Sequence, residues 1–194
     1  MSDYSHYVKK FALPVGLFLA YCVVGRIGLY IHPLDTHSTL VFSPGGIALA
    51  AILLYGYRAT AAIEIAAFVV PLVAGASLPV ALVLSASGAL APLSGAYVLR
   101  NFLAFSASLQ RLIDISGILI AAVLSAAISA TLTMAAFFLA GSTAGSLSSS
   151  MWFTHWVGDM LGVMLFTPFI LKWCTRPLSG RSAKLRIEKY ATVA

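Results

Sequence analysis

The chain has 194 residues, of which 60% are hydrophobic and only 9% charged, and its mean hydropathy is +0.96. So little charge cannot cover the surface of a soluble domain of this size, which leaves an integral membrane protein. The net charge of +6 sits between and after apolar segments, so membrane topology accounts for it and nucleic acid is not an expected partner.

Residues 1–10 are polar, and no small-residue cleavage site follows the first apolar stretch. That stretch is expected to stay as a membrane helix rather than leave as a signal peptide. A helix needs roughly 20 apolar residues to cross a bilayer core. Segments of that character run over about 11–32, 42–57, 59–77, 79–99, 113–140 and 151–173. The second is short and follows FSPGG, where Pro44, Gly45 and Gly46 disfavour regular helix. This stretch is expected to enter the membrane as a non-helical turn shielded by its neighbours. Ser77, Leu78 and Pro79 leave room only for a tight hairpin between the third and fourth segments. In the fourth, Gly88 and Gly95 flank Pro92, which predicts close packing and a kink. In the fifth, Ser125, Ser129 and Thr133 recur one turn apart beside Ala122, Ala126 and Ala130, a small-residue pattern that suits helix association in lipid.

The basic residues orient this bundle. Lys9 and Lys10 precede the first helix, Arg58 separates the second and third, and Arg100 and Arg111 bracket the next link. Lys172, Arg176, Arg181, Lys184, Arg186 and Lys189 close the sixth and follow it. Eleven of the twelve Lys and Arg thus fall on one side, while the opposite loops, HPLDTHSTL and GSTAGSLSSS, contain none. By the positive-inside rule both termini are expected in the cytoplasm. The expected architecture is an all-α polytopic bundle of about six transmembrane helices. Residues 1–10 would form a cytoplasmic segment, 11–174 the transmembrane domain, and 175–194 a basic tail suited to anionic headgroups.

The twelfth basic residue is Arg26, about two turns from the outer end of the first helix, and Asp159 lies at comparable depth on the sixth. A lone charge at that depth is expensive, so an Arg26–Asp159 ion pair, or one polar cavity shared by both, is the economical arrangement. Gly25 and Gly28 on one helix and Gly158 and Gly162 on the other permit close approach. Met151, Trp152, His155, Gly158, Asp159, Gly162 and Phe166 share one helical stripe, which places His155 and Asp159 one turn apart on an inward face. Two readings follow. Either a polar network only locks the first helix to the last, or Arg26, His155, Trp156 and Asp159 line a ligand pocket open to the outer side. A histidine coupled to an acid would also make such a site respond to pH. Glu64, near the start of the third helix, either reaches Arg58, Arg100 or interfacial water, or acts with Arg58 in passing a signal.

The chemistry missing from the sequence narrows its function. No lysine lies mid-membrane to carry a retinal Schiff base. His32, Asp35, His37 and His155 gather toward the outer side, but their spacing matches no metal or haem pattern. There is no Walker loop, nucleophile elbow, HExxH or paired-Cys motif. No catalytic activity, metal or cofactor is expected.

The stretch YCVVGRIGLYIHPLDTHSTLVFSPGGIALAAILLYGYRATAAIEIAAF resembles the opening of bacterial membrane-associated sensor domains of the MASE type, first class. Arg26, Gly28, Pro44, Gly46, Gly56 and Arg58 occupy that family's motif positions. HWVGDMLGVMLFTPFIL is similar to the family's closing pattern through Trp156, Gly158, Asp159, Gly162 and Pro168. Phe42-Ser43 stands where Trp-Pro is usual, His155 where an aromatic is common, and Glu64 where a small or apolar residue is expected. The resemblance, over about residues 15 to 173, implies a multi-pass input module of the bacterial inner membrane. Its relatives sit ahead of histidine kinase, diguanylate cyclase or phosphodiesterase domains, with the last helix feeding the effector. No such domain lies within this chain, so the effector is expected as a separate partner or as the rest of a fusion. The expected function is to bind a small or amphiphilic ligand, or a membrane partner such as a second copy in a homodimer, and relay that event. The alternatives are an accessory or scaffold subunit of a membrane complex and a small solute-binding transport component.

Overall fold

Lipid supplies no hydrophobic push between helices, so a membrane bundle holds where small side chains let backbones approach. The computed structural model describes residues 15–27, 44–103, 105–107, 109, 111–141 and 149–174. Gly28, the outer group His32, Asp35 and His37, and the basic tail lie outside these residues. Among the described residues six helices follow one another: α1 Val15–Ile27, α2 Pro44–Tyr55, α3 Ala59–Val73, α4 Leu78–Phe102, α5 Leu112–Leu139 and α6 Ser149–Cys174. No strand occurs among the described residues.

α4, α5 and α6 hold 25, 28 and 26 residues. At about 1.5 Å per residue each exceeds the ~30 Å hydrocarbon core. The described α1, α2 and α3 are apolar but shorter, so among the described residues three helices have spanning length, against about six expected crossings. Both shorter helices with a described C-terminus end at a glycine in the left-handed region. Gly56 (φ 80°) follows α2 and its N–H returns to the Ile52 carbonyl at 2.9 Å, and Gly75 (φ 92°) turns the chain after α3. Residues 74–77 form the tight α3–α4 link expected from the sequence.

α2 sits in the middle of the bundle, packed against α3, α4 and α6, with Ala48, Leu49, Ala50 and Ile52 fully buried. Here the structure corrects the expected non-helical turn, because Pro44, Gly45 and Gly46 form the first turn of α2 itself. A proline at the start of a helix sacrifices no hydrogen bond, since the first N–H groups have no partner in any case. Gly46 serves close approach: a Cβ there would come 2.5 Å from the Gly162 carbonyl oxygen and 2.9 Å from Phe166 Cβ. Thr167 fastens the same crossing by donating to the Gly46 carbonyl at 3.0 Å.

The other end of α2 is held by charge. Arg100 of α4 donates to the Ile52 and Leu53 carbonyls at 2.7 and 3.2 Å, with its guanidinium 5.0 Å from the Tyr57 ring centre. Both carbonyls lie in the last turn of α2, and a cation suits the negative end of the helix dipole. At the start of α5, Asp114 is 1% exposed and accepts from the Ser106 and Arg111 backbone N–H groups at 3.0 and 3.2 Å. Small residues make the remaining seams. Gly88 of α4 meets Ala67 of α3, Gly95 meets Ala121 of α5, and Ala122, Ser125, Ala126 and Ala130 are buried as their spacing predicts. α4 runs unbroken through Pro92. The large side chains turn outward instead: Leu82, Leu90, Leu124, Phe153, Leu165 and Phe169 are all exposed, the inside-out distribution a bilayer rewards.

Gly46→Ala should destabilise the bundle by about 1–3 kcal/mol through overpacking, seen as a lower unfolding midpoint in detergent. Gly45→Ala is the control, because its Cβ would meet only Val163, at 3.8 Å, and should leave the midpoint unchanged. Arg100→Met should cost about 1.5–3 kcal/mol, the worth of charge-assisted hydrogen bonds, in the same unfolding measurement.

Candidate functional site

Asp159 lies ten residues into α6, about 15 Å along its axis. It is only 6% exposed, and its Oδ1 has no hydrogen-bond partner. One hydroxyl reaches the carboxyl, and two more lie in its neighbourhood. From α5, the Ser129 hydroxyl comes within hydrogen-bonding reach of the carboxyl. From α4, the Ser87 hydroxyl donates to Ser129 Oγ at 3.3 Å and approaches the Ser129 carbonyl at 3.5 Å. This contact ties α4 to α5 at Ser129. From α1, buried Tyr21 lies near enough to interact with the Asp159 charge. Its hydroxyl is 3.1 Å from where a Cβ on Gly88 would stand, so the absence of a side chain at Gly88 admits it.

The expected Arg26–Asp159 ion pair does not form. Arg26 is exposed near the end of α1, whereas Asp159 is buried and lacks a partner at Oδ1. The reason is helical phase. Tyr21 and Gly25, four residues apart, are the buried positions of α1, and Gly25 rests 3.3 Å from a Val70 methyl of α3 at its virtual Cβ. Arg26 follows Gly25 by about 100° and turns off that face. His155 is half-buried and packs its ring on Phe137 of α5, with centroids 6.1 Å apart. Trp156 donates its indole N–H to the Val123 carbonyl at 3.1 Å and stacks on Trp152 at 6.0 Å, so it binds α6 to α5. Gly158 and Gly162 are buried beside Asp159, Pro44 and Gly46 open α2, and Pro168 lies inside α6. Glu64 is exposed on α3, with its backbone carbonyl taking the Ser85 hydroxyl at 3.1 Å, and Arg58 is exposed in the α2–α3 turn.

Sequence reasoning found the acid but not its surroundings. Tyr21 was legible as the residue one turn before Gly25 on the same face. Ser87 adjoins Gly88, and Ser129 was visible only as a packing position. Arg100 and Asp114, read as topology or passed over, prove to be the caps of α2 and α5.

The MASE1 family model matches residues 13–188. No curated protein and no solved structure matches the chain. The match takes in all six helices, including Asp159 and the residues gathered round it. The chain belongs to the MASE1 family, the membrane-associated sensor domains of histidine kinases and cyclases.

Proposed function

We propose that this chain is the sensory input module of a bacterial signalling system. It lies in the inner membrane with both termini in the cytoplasm and takes no catalytic part itself. The observation that carries the reading is the buried, unpartnered Oδ1 of Asp159 on α6, a helix packed against α2 and α5. A group left unsatisfied inside a bundle destabilises it, and such groups concentrate where a protein binds something. Binding there would change how α6 sits against its neighbours, and α6 is the helix that leads toward the tail. The eleven basic residues on one side support this topology. The effector would be a kinase or cyclase, fused or separate.

Glu64 favours an added role for a membrane partner. It is an exposed carboxylate on an apolar helix, and a basic residue on a neighbouring helix, or the interfacial water, would complete it.

Fusing the chain ahead of a histidine kinase tests the sensory reading. Asp159→Asn should change kinase autophosphorylation by about fivefold or more, the lower range of ordinary coupling between sites. Expression and membrane insertion should be unaffected. Arg26→Gln, on the exposed face of α1, should leave the output unchanged. If Asp159→Asn and Ser129→Ala both insert normally and signal as wild type, the site is not read.

A further inference from the structure

The surface of α4 carries an open groove of about 540 Å³, within the ~300–1,000 Å³ range of small-molecule sites. Leu90, Ser94 and Val98 line it at one-turn spacing, with Leu93 and Tyr97 beside them, and Ile128 of α5 and Tyr57 of the α2–α3 turn complete it. Its shape has local causes. Gly56 turns the chain in the left-handed region, and Tyr57 leaves that turn toward Arg100, whose guanidinium stands 5.0 Å from the ring centre. Ser94 puts a small side chain in the middle of the α4 row and donates its hydroxyl to the Ala91 carbonyl at 2.7 Å. The centre of the groove is therefore low, and its one hydroxyl is engaged within its own helix.

Length and charge select the occupant. From Leu90 to Arg100 is ten residues, about 15 Å along the helix, or one half of a ~30 Å hydrocarbon core. A transmembrane helix docked on this face would need the full thickness, whereas one leaflet is the depth of a single acyl chain. The end of the groove at Arg100 is polar. Tyr57 and Tyr97 are about half exposed there, rings with an apolar body and a hydroxyl suited to the headgroup level. Both Arg100 bonds to the α2 carbonyls leave from Nη2, so the other N–H groups of the guanidinium remain as donors. Neutral carbonyls do not cancel its charge. Arg58, next to Tyr57, is exposed and adds a second cation. An apolar trough that ends in tyrosine hydroxyls and two guanidinium groups repeats the order of a phospholipid, from acyl chain to phosphate, and basic pockets between helices are where anionic headgroups bind.

We propose that this groove holds one anionic phospholipid, its acyl chain along Leu90, Ser94 and Val98 and its phosphate at Arg100, Arg58 and the Tyr57 and Tyr97 hydroxyls. On the topology proposed above, the lipid comes from the inner leaflet. Asp159 takes no part in the site, which stands whether or not that residue is read as a signal.

The test titrates the delipidated full chain, in neutral detergent, with phosphatidylglycerol or phosphatidylcholine of identical acyl chains, and counts bound lipid by native mass spectrometry. Phosphatidylglycerol should fill one saturable site, and phosphatidylcholine should fill it at least about fivefold more weakly. Arg58→Gln should weaken phosphatidylglycerol by about fivefold, the contribution of one basic residue. Ser94→Phe fills the middle of the groove and should remove the site, whereas Leu165→Phe, on the exposed surface of α6, should keep it. Should Ser94→Phe fail to insert, Leu90→Trp at an exposed position takes its place. Equal affinity for the two lipids overturns the proposal, as adventitious annular lipid only would give. A phosphatidylglycerol site that survives the groove-filling variant overturns it as well. So does a dimer that this variant dissolves, which would assign the face to a second copy of the chain.

Discussion

The bundle is organised by one backbone contact, Gly46 of α2 against the Gly162 carbonyl of α6. A short helix buried on nearly every side can be accommodated in lipid only if its neighbours come close, and here no side chain separates the two backbones. Thr167 secures the crossing with a hydrogen bond, and Arg100 secures the far end of α2. α6 is thereby fixed one turn from Asp159. The same glycine face that allows the contact carries the acid into the interior, so the position of Asp159 is a consequence of how α2 is seated.

Three charged residues show how differently such groups can be handled. Arg100 donates its guanidinium to two carbonyls in the last turn of α2. Asp114 is more buried than Asp159, yet both its oxygens accept backbone N–H groups. Leaving a buried polar atom unsatisfied costs about 1–3 kcal/mol, and more for a charged group. Asp159 Oδ1 shares that condition, among the described residues, with the Thr60 hydroxyl alone.

Much of this was legible in the amino-acid pattern. The six helices, the lipid-facing Leu and Phe, the buried stripe of α6 and the Ser125–Ser129 seam all follow from helical periodicity and side-chain size. What failed was pairing across helices. Arg26 and Asp159 match in depth and charge, and depth is readable from residue counts. The rotational phase of α1, set by Gly25 on Val70 and Tyr21 at Gly88, is not. The FSPGG stretch misled for a related reason: glycine lowers helix propensity, but here Gly46 is selected by the backbone of another helix, a tertiary demand that overrides local preference.

We propose that the state of the Asp159 site is carried along α6 to its C-terminal end. Cys174, exposed at that end, and a second label placed by Leu112→Cys at the exposed start of α5 allow a direct measurement. On a Cys22→Ser background in nanodiscs, the distance distribution between spin labels at these two positions is recorded with Asp159 intact and with Asp159→Asn. A displaced or redistributed distance is expected in the variant. Identical distributions, from two proteins of equal stability, would contradict it.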